Sequence, residues 1–468
     1  MIFFNRFSIA LIGVVAISAI VQPTAVFAIS AQFPSASVVA ATKAEDLFNQ
    51  GEAKYKQGDY QGAVAAYTQA IALNPNYAQA YNNRGLSRYY LGDTEGALAD
   101  YAQALRINPN LAFAYNNRGM YRNDLGDNKA AIADFNTALR INPNYANAYN
   151  NRGVARKNLG DKQGAIADYT AALRINPNHA DAYYNRGNVR FDLGDKQGAV
   201  ADFNQALRLN PNFVFAYVRR GVSRSDLGDK QGAIADFNQA LRIDPNNAST
   251  YNSRGNARSE LGDKQGAIAD FNEALRIDPN YAYPYNGRGN ARRTLGDKQG
   301  ALADYSSALR INPSDAIAYY NRGNLRSDSG DKQGAVTDFN EALRINPNYD
   351  QAYNNRGLAR RSLGDNKGAL ADFNEAVRIN PKLFQAYYNR GLSRRTLGDK
   401  QGAIADFNEA VRINPNYADT YKSRGNLRSE LGDKPGAIAD FQKAADLFQK
   451  QGNKDGYEKA LNLLKQLQ

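Results

Sequence analysis

Prolines that recur at one fixed interval dominate the organisation of this sequence. Eleven of the 15 prolines are each separated from the next by 34 residues, without exception. They are Pro75, Pro109, Pro143, Pro177, Pro211, Pro245, Pro279, Pro313, Pro347, Pro381 and Pro415. A constant period of this length indicates an array of one repeated supersecondary unit rather than one large core. When each of these prolines is assigned to position 32, the sequence divides into twelve units from Ala44 to about Gln451.

Within one unit, the residue pattern predicts two helices joined by a tight turn. In the unit 180–213, small and apolar residues recur at helical spacing in both halves. Gly194 can adopt the left-handed conformation that ends the first helix, and Asp195 can accept hydrogen bonds from the free N–H groups that open the second. The second helix should end before Pro211, because proline cannot continue it. Each unit is therefore predicted to be a hairpin of a helix A and a helix B.

Four positions carry the same kind of side chain in every unit. Position 8 is Gly, positions 20 and 27 are Ala, and position 24 is Phe or Tyr in all twelve units. These residues resemble the tetratricopeptide repeat family, in which small and aromatic residues recur over 34 residues. The resemblance implies an all-α fold over 44–451, a right-handed α-solenoid (superhelix) of antiparallel helix hairpins. Residues 452–468 are expected to form a C-terminal capping helix.

Two positions depart from the family pattern, and they vary together with a third. Eleven units carry Arg at positions 7 and 11, where the family prefers Leu and Tyr. The same eleven units carry Asp at position 23, as in Arg186, Arg190 and Asp202, and the first unit lacks all three. Partly buried guanidinium and carboxylate groups need partners. We therefore favour pairing between an arginine of helix A and the aspartate of helix B over an anion-binding role for this series.

Position 6 of helix A carries asparagine in eight units. These residues are Asn49, Asn83, Asn117, Asn151, Asn185, Asn321, Asn355 and Asn389. They resemble the asparagine ladder of superhelical tetratricopeptide arrays, which implies that successive amides hold the backbone of an extended peptide. An amide has both donors and an acceptor, so it can pair with a peptide unit whatever its side chain. Two alternatives stay open: internal duplication copied the asparagine, or it satisfies backbone groups nearby.

Positions that differ between units are the other candidates for ligand contact, because duplication does not explain them. In the family, positions 2, 5, 6, 9, 12 and 13 of helix A tend to face the concave groove. The aromatic candidates are Phe113, Tyr184, Phe191, Phe215, Tyr283, Tyr320 and Tyr388, and the basic ones are Arg219, Arg293, Arg361 and Arg395. Their order predicts a groove that is more apolar toward the N-terminal half and more basic toward the C-terminal half. Such residues are typical of interface hot spots, although they can also simply cover neighbours on an ordinary surface.

The N-terminal segment lies outside the repeats. The run 7–21 is almost wholly apolar. It is short for a membrane span but suits the core of an export signal, and Val26 and Ala28 provide short side chains for cleavage after Ala28. We therefore predict a signal peptide over 1–28, a short linker over 29–43, and export to the periplasm, another extracytoplasmic lumen or the medium. An uncleaved membrane anchor is the alternative.

Composition limits the chemistry open to this chain. Lys and Arg number 58 against 46 Asp and Glu, and the net charge of +12 favours acidic partners. The absence of Cys excludes disulfides and thiolate metal sites, and the single His179 argues against a Ser-His-Asp triad or a His-rich metal site. His179 occupies position 34, where other units have Tyr or Phe, so we expect it to be a packing residue.

These observations predict a protein without enzymatic activity, cofactor or metal. The expected function is that of an exported scaffold that binds an extended protein or peptide segment in its groove and so mediates protein–protein interaction or complex assembly, with an acidic ligand as one possibility. The alternative is binding of single-stranded nucleic acid or another polyanion along the arginines of the groove. The matching Asp series and the export signal argue against that alternative. No small-molecule substrate is expected, and membrane contact is expected only through an uncleaved signal segment.

Overall fold

The computed structural model of this chain describes residues 36–467, and the predicted signal peptide lies outside them. The described residues form 25 α-helices and no strand. They divide into two compact units, and the boundary along the chain follows Asn144. The first unit contains α1 (Ala36–Lys56), α2 (Tyr60–Leu73), α3 (Ala78–Leu91), α4 (Thr94–Ile107), α5 (Ala112–Asp124) and α6 (Asn128–Ile141). The second contains α7 (Ala146–Asn158), α8 (Lys162–Ile175), α9 (Ala180–Asp192), α10 (Lys196–Leu209), α11 (Val214–Asp226), α12 (Lys230–Ile243), α13 (Ala248–Glu260), α14 (Lys264–Ile277), α15 (Ala282–Thr294), α16 (Lys298–Ile311), α17 (Ala316–Asp328), α18 (Lys332–Ile345), α19 (Asp350–Ser362), α20 (Asn366–Ile379), α21 (Phe384–Thr396), α22 (Lys400–Ile413), α23 (Ala418–Glu430), α24 (Lys434–Lys450) and α25 (Lys454–Leu467).

Stacked hairpins make up each unit. The odd-numbered helices from α1 to α23 are the A helices of repeats 1 to 12, and the even-numbered helices are the B helices. Within each unit, every helix packs against the helix that follows it. This confirms the predicted all-α solenoid of helix hairpins. Helix α1 begins at Ala36, ahead of the predicted repeat boundary at Ala44, so part of the expected linker is helical.

The turn between the two helices of a repeat forms as the sequence predicts. In repeat 5, Gly194 has a φ of 89°, in the left-handed region that glycine adopts without a steric penalty. The side chain of Asp195 accepts a hydrogen bond from the backbone N–H of Gly198 at 2.9 Å and caps α10. Helix α10 ends at Leu209, ahead of Asn210 and Pro211. Local side-chain chemistry therefore sets the hairpin boundaries.

The core of each repeat is built around the aromatic ring at position 24. All twelve of these rings are almost completely buried. They are Tyr67, Tyr101, Phe135, Tyr169, Phe203, Phe237, Phe271, Tyr305, Phe339, Phe373, Phe407 and Phe441. The glycine at position 8 allows this close packing, because a Cβ on Gly221 would lie 2.7 Å from Cε1 of Phe237. Helix A and helix B thus meet where one side chain is absent and the other is large.

Helix α25 covers the last hairpin. Leu464 of α25 is buried in one cluster with Phe441 of α24, and Leu461 packs against the same cluster. Lys459 and Lys465 lie on the exposed side of α25. An amphipathic helix of this kind removes the apolar end surface that a solenoid would otherwise expose to water. Within residues 36–467, no helix combines the length and the apolar character that crossing a membrane requires.

Candidate functional site

Each repeat from 2 to 12 contains a charged cluster between its two helices. In repeat 5, the carboxylate of Asp202 accepts hydrogen bonds from Nε and Nη2 of Arg186 at 3.0 and 2.7 Å, and from Nη1 of Arg190 at 2.9 Å. Both arginine–aspartate ion pairs are present in all eleven of these repeats. The predicted pairing is confirmed, and one aspartate serves two arginines.

Further contacts hold the first of these arginines in place. The guanidinium of Arg186 lies 5.6 Å from the ring centroid of Tyr183, and the same arrangement recurs in every repeat from 2 to 12. In repeat 6, Arg220 also donates to the side-chain oxygen of Asn204 in repeat 5, at 2.7 Å. The arginines at positions 7 and 11 are therefore structural, which leaves the other polar residues of helix A as candidates for ligand binding.

The asparagines at position 6 form hydrogen bonds between neighbouring repeats. Nδ2 of the position 6 residue donates to Oδ1 of the position 5 asparagine in the preceding repeat. The pairs are Asn117 to Asn82 at 3.2 Å, Asn185 to Asn150 at 3.0 Å, Asn321 to Asn286 at 2.9 Å and Asn389 to Asn354 at 3.0 Å. Asn355 instead donates to Tyr320 and Asn324. The sequence did not reveal the position 5 partners, and these contacts join side chains, unlike the alternative in which the asparagine satisfies backbone groups nearby.

Exposure differs along this asparagine row. Asn83, Asn117, Asn151, Asn185, Asn321 and Asn355 are half-buried, whereas Asn49 is exposed. Asn389 is only 6% exposed and is therefore largely buried within the array. A primary amide has two N–H donors and a carbonyl oxygen with two lone pairs. A half-buried asparagine that donates once to the preceding repeat, such as Asn185 or Asn321, therefore keeps an N–H group and its carbonyl oxygen for a ligand, whereas Asn355 donates twice and keeps only its carbonyl oxygen.

The predicted aromatic residues divide into packed and exposed groups. Tyr184, Tyr320 and Tyr388, all at position 5, are half-buried and contact the ring at position 34 of their own repeat in tilted or edge-on geometry; the ring centroids of Tyr184 and Phe213 are 4.8 Å apart. Phe113 packs against an apolar cluster of the first unit, and Phe191 lies under the guanidinium of Arg219 at 5.0 Å. Phe215 and Tyr283, both at position 2, are 50% and 64% exposed. These two offer free apolar surface on helix A.

The predicted groove arginines are mostly paired. Arg219 donates to Asn188 and lies 3.6 Å from Asp192. Arg293 forms an ion pair with Asp328 at 3.1 Å, and Arg395 pairs with Glu430. Each of the latter two pairs joins position 12 of one repeat to position 13 of the next, a relation that no pattern within one repeat reveals. Nη1 of Arg361 is buried and forms no hydrogen bond within residues 36–467.

His179 has a local structural role. Its Nδ1 accepts from the backbone N–H of Ala182 at 3.4 Å, which caps α9, and the side chain is half-buried. Burial lowers the pKa of the imidazole, and the charge of Asp181 opposes this effect. Among residues 36–467, no three Asp, Glu, Cys or His side chains are grouped as they would be around a metal ion.

Sequence profiles of known families match most of the array. The profile described as TPR repeat matches residues 51–92, 121–160, 158–194, 223–262, 255–296, 289–330 and 357–398. The profile described as Tetratricopeptide repeat matches 78–111, 180–213, 316–349 and 384–417. The chain belongs to the tetratricopeptide repeat family. Tetratricopeptide arrays are in general non-enzymatic scaffolds, so membership supports a role in protein–protein interaction.

Three solved structures align with half or more of this chain at TM-scores below 0.5. The Cut9–Hcn1 tetramer of the APC/C is 14% identical, with 92% of this chain and 97% of that chain covered and a TM-score of 0.46. Yeast Tom70 is 18% identical, with 91% and 96% covered and a TM-score of 0.40. A tetratricopeptide repeat protein from Parabacteroides merdae is 22% identical, with 53% and 98% covered and a TM-score of 0.44. No protein with a curated description matches this chain.

Proposed function

We propose that this tetratricopeptide array binds extended polypeptide segments along its A helices and so organises a protein assembly. The observation that carries the proposal is the row of position 6 asparagines. Asn185, Asn321 and Asn355 are half-buried on the A helices and are held in place by hydrogen bonds to the preceding repeat. Side-chain amides fixed in consecutive repeats, as in repeats 9 and 10, suit the repeating N–H and C=O groups of an extended backbone. Binding of this kind is tolerant of ligand sequence.

Exposed aromatic residues supply apolar contact on other A helices of the same unit. Phe215 and Tyr283 lie at position 2 of α11 and α15, one helical turn before Arg219 and Gly287, which occupy position 6 there. Aromatic side chains bury a large area and are enriched among the residues that dominate binding energy. We propose that a bound segment places its backbone against the asparagines and some of its side chains against these rings.

Crosslinking tests where a polypeptide binds. A benzophenone-bearing phenylalanine is introduced in place of Tyr283 on helix A of repeat 8, and the control carries it in place of Ala303, an exposed residue on helix B of the same repeat. Each protein is irradiated with a pool of short unstructured peptides of random sequence, and adducts are counted by mass spectrometry. We expect adducts at position 283 well above those at position 303. Equal yields at the two positions would refute binding along the A helices.

The polyanion alternative has less support. The arginines at positions 7 and 11 would be the natural contacts for phosphates, but each pair is occupied by an aspartate. The groove arginines Arg293 and Arg395 are paired with carboxylates as well. Phosphate-driven binding weakens steeply with salt. Salt-dependent capture of single-stranded RNA in the same crosslinking experiment would favour the alternative over the peptide proposal.

We also propose that the protein is exported. The support is the apolar run 7–21 with short side chains at Val26 and Ala28, as expected for a cleaved export signal. Peptide binding would then take place in the periplasm, another extracytoplasmic lumen or the medium. N-terminal sequencing of the protein purified from its own cells tests this proposal. A start near Ile29 is expected, and an intact Met1 would contradict cleavage.

A further inference from the structure

Position 12 of one A helix meets position 13 of the next A helix. Arg293 of repeat 8 pairs with Asp328 of repeat 9 at 3.1 Å, and Arg395 of repeat 11 pairs with Glu430 of repeat 12. In the first unit, the hydroxyl of Tyr89 donates to the carboxylate of Asp124 in the same relation. In these three cases, a polar group at position 12 is paired with an acidic side chain at position 13 of the following repeat.

Arg361 breaks this relation. It occupies position 12 of repeat 10, but position 13 of repeat 11 is Thr396. The hydroxyl of Thr396 donates to the backbone oxygen of Leu392 at 3.0 Å, within its own helix. Nη1 of Arg361 is buried without a hydrogen-bond partner among the described residues. A buried N–H of a charged group that lacks an acceptor costs free energy, so an incoming acceptor at this place would be bound favourably.

Arg361 forms part of the wall of an open concavity. It has a volume of about 350 Å³ and is lined by Arg361, Leu392, Arg395 and Thr396. The charge around the concavity is positive. Arg395 and Lys400 share one carboxylate, that of Glu430, and Arg361 forms no ion pair with a carboxylate within the described chain. Burial lowers the pKa of Arg361, and interaction with Tyr388 opposes this effect. Two guanidinium groups at one concavity suit a carboxylate, whose oxygens accept the paired N–H groups of arginine.

We infer that this concavity binds the carboxylate of an Asp or Glu side chain of the bound polypeptide, with Arg361 as the main contact and Arg395 beside it. The inference rests on the proposed peptide binding and adds one position at which an acidic residue is selected. The ligand carboxylate takes the place that Asp328 takes for Arg293. Leu392 contributes the apolar wall against which the methylene groups of the acidic side chain can pack.

Thr396→Asp tests this inference without removing either arginine. The new carboxylate is expected to pair with Arg361 as Asp328 pairs with Arg293, and so to block the site from within. Thr294→Asp is the matched control, because Thr294 also occupies position 13 and its hydroxyl also donates to the backbone oxygen four residues earlier, at 2.9 Å. The preceding repeat has Ser259 at position 12, so Thr294→Asp adds the same charge with no arginine to capture. Arg361→Gln is a second variant that removes the main contact.

The measurement compares two labelled glycine–serine peptides, one with evenly spaced glutamates and one with glutamines in their place. We expect the unmodified protein to bind the glutamate peptide about tenfold more tightly. Thr396→Asp and Arg361→Gln should abolish most of this preference, and Thr294→Asp should keep it. Equal loss in Thr396→Asp and Thr294→Asp would overturn the inference. Equal binding of the two peptides by the unmodified protein would overturn it while leaving peptide binding itself intact.

Failure of peptide binding altogether is distinguishable from failure of the carboxylate site. If neither peptide binds, the proposed function fails, and acetate then serves as the probe. Acetate should shift the Nε–H resonance of Arg361 in the unmodified protein and in Thr294→Asp, but not in Thr396→Asp. A shift of equal size in all three proteins, or in none, would overturn the carboxylate site.

Discussion

Asp236→Ala is expected to destabilise the repeats around it by about 3 kcal/mol or more, which is the usual cost of breaking a buried ion pair from one side. Asp236 is buried, and its carboxylate accepts from Nε of Arg220 at 3.0 Å and from Nη1 of Arg224 at 3.0 Å. The alanine variant removes the aspartate that these two arginines share between the helices of repeat 6. Two partly buried guanidinium groups would then lose their main acceptor.

Hydrogen exchange is the appropriate measurement, because a solenoid can open locally and a single melting temperature averages over all repeats. Amides of α11 and α12 should exchange faster in Asp236→Ala, whereas those of distant repeats should change little. Asp226→Ala is the control within the same repeat, since Asp226 forms a partly exposed ion pair with Lys196 at 2.9 Å. Its loss should cost at most about 1 kcal/mol. Equal exchange rates in the two variants would show that the buried cluster does not hold the hairpin together.

The sequence determined the hairpins closely because the signals for them are local. A left-handed glycine, a capping aspartate and a proline act within a few residues of the helix ends that they set, as at Gly194, Asp195 and Pro211. The buried cluster was also predictable, because Arg186, Arg190 and Asp202 have counterparts that are present together in eleven repeats and absent together from the first. The joint presence and joint absence of these three residues therefore indicated their contact without a three-dimensional structure.

Contacts between repeats were not predictable in the same way. The hydrogen bond from Asn321 to Asn286 and the ion pair from Arg293 to Asp328 each join residues 35 apart. Recognising them requires the rotation between successive A helices, which the 34-residue period does not specify. That Nη1 of Arg361 lacks a hydrogen-bond partner among residues 36–467 was equally hidden, because the sequence shows Arg361 as one arginine among many. The packing of Tyr184 against Phe213 was hidden for the same reason.

Replacing Asn321 and Asn355 together by Ser is expected to weaken peptide binding at least tenfold, if each amide contributes roughly 1 kcal/mol through hydrogen bonds to the ligand backbone. Serine is the natural residue at position 6 of repeats 7 and 12, as Ser253 and Ser423, so the hairpins should tolerate it. The variant loses the hydrogen bonds from Asn321 to Asn286 and from Asn355 to Asn324. Some loss of stability is therefore expected and requires a matched control.

Asn340→Ser provides this control on the opposite helix. Asn340 lies at position 25 of helix B, where repeat 8 has Ser306, and its side-chain oxygen accepts from Arg356 at 2.8 Å. Asn340→Ser therefore also replaces asparagine by serine and also removes a hydrogen bond between repeats, but the substituted residue lies on a B helix. Both proteins should remain folded with similar hydrogen exchange in α17 to α20.

The dissociation constants of these two proteins for the same labelled, unstructured peptide show whether the asparagines of the A helices hold an extended polypeptide. We predict that the Asn321→Ser and Asn355→Ser double variant binds at least about tenfold more weakly than Asn340→Ser. Equal dissociation constants, with both proteins folded, would contradict it and would make the asparagine row a purely structural link between repeats.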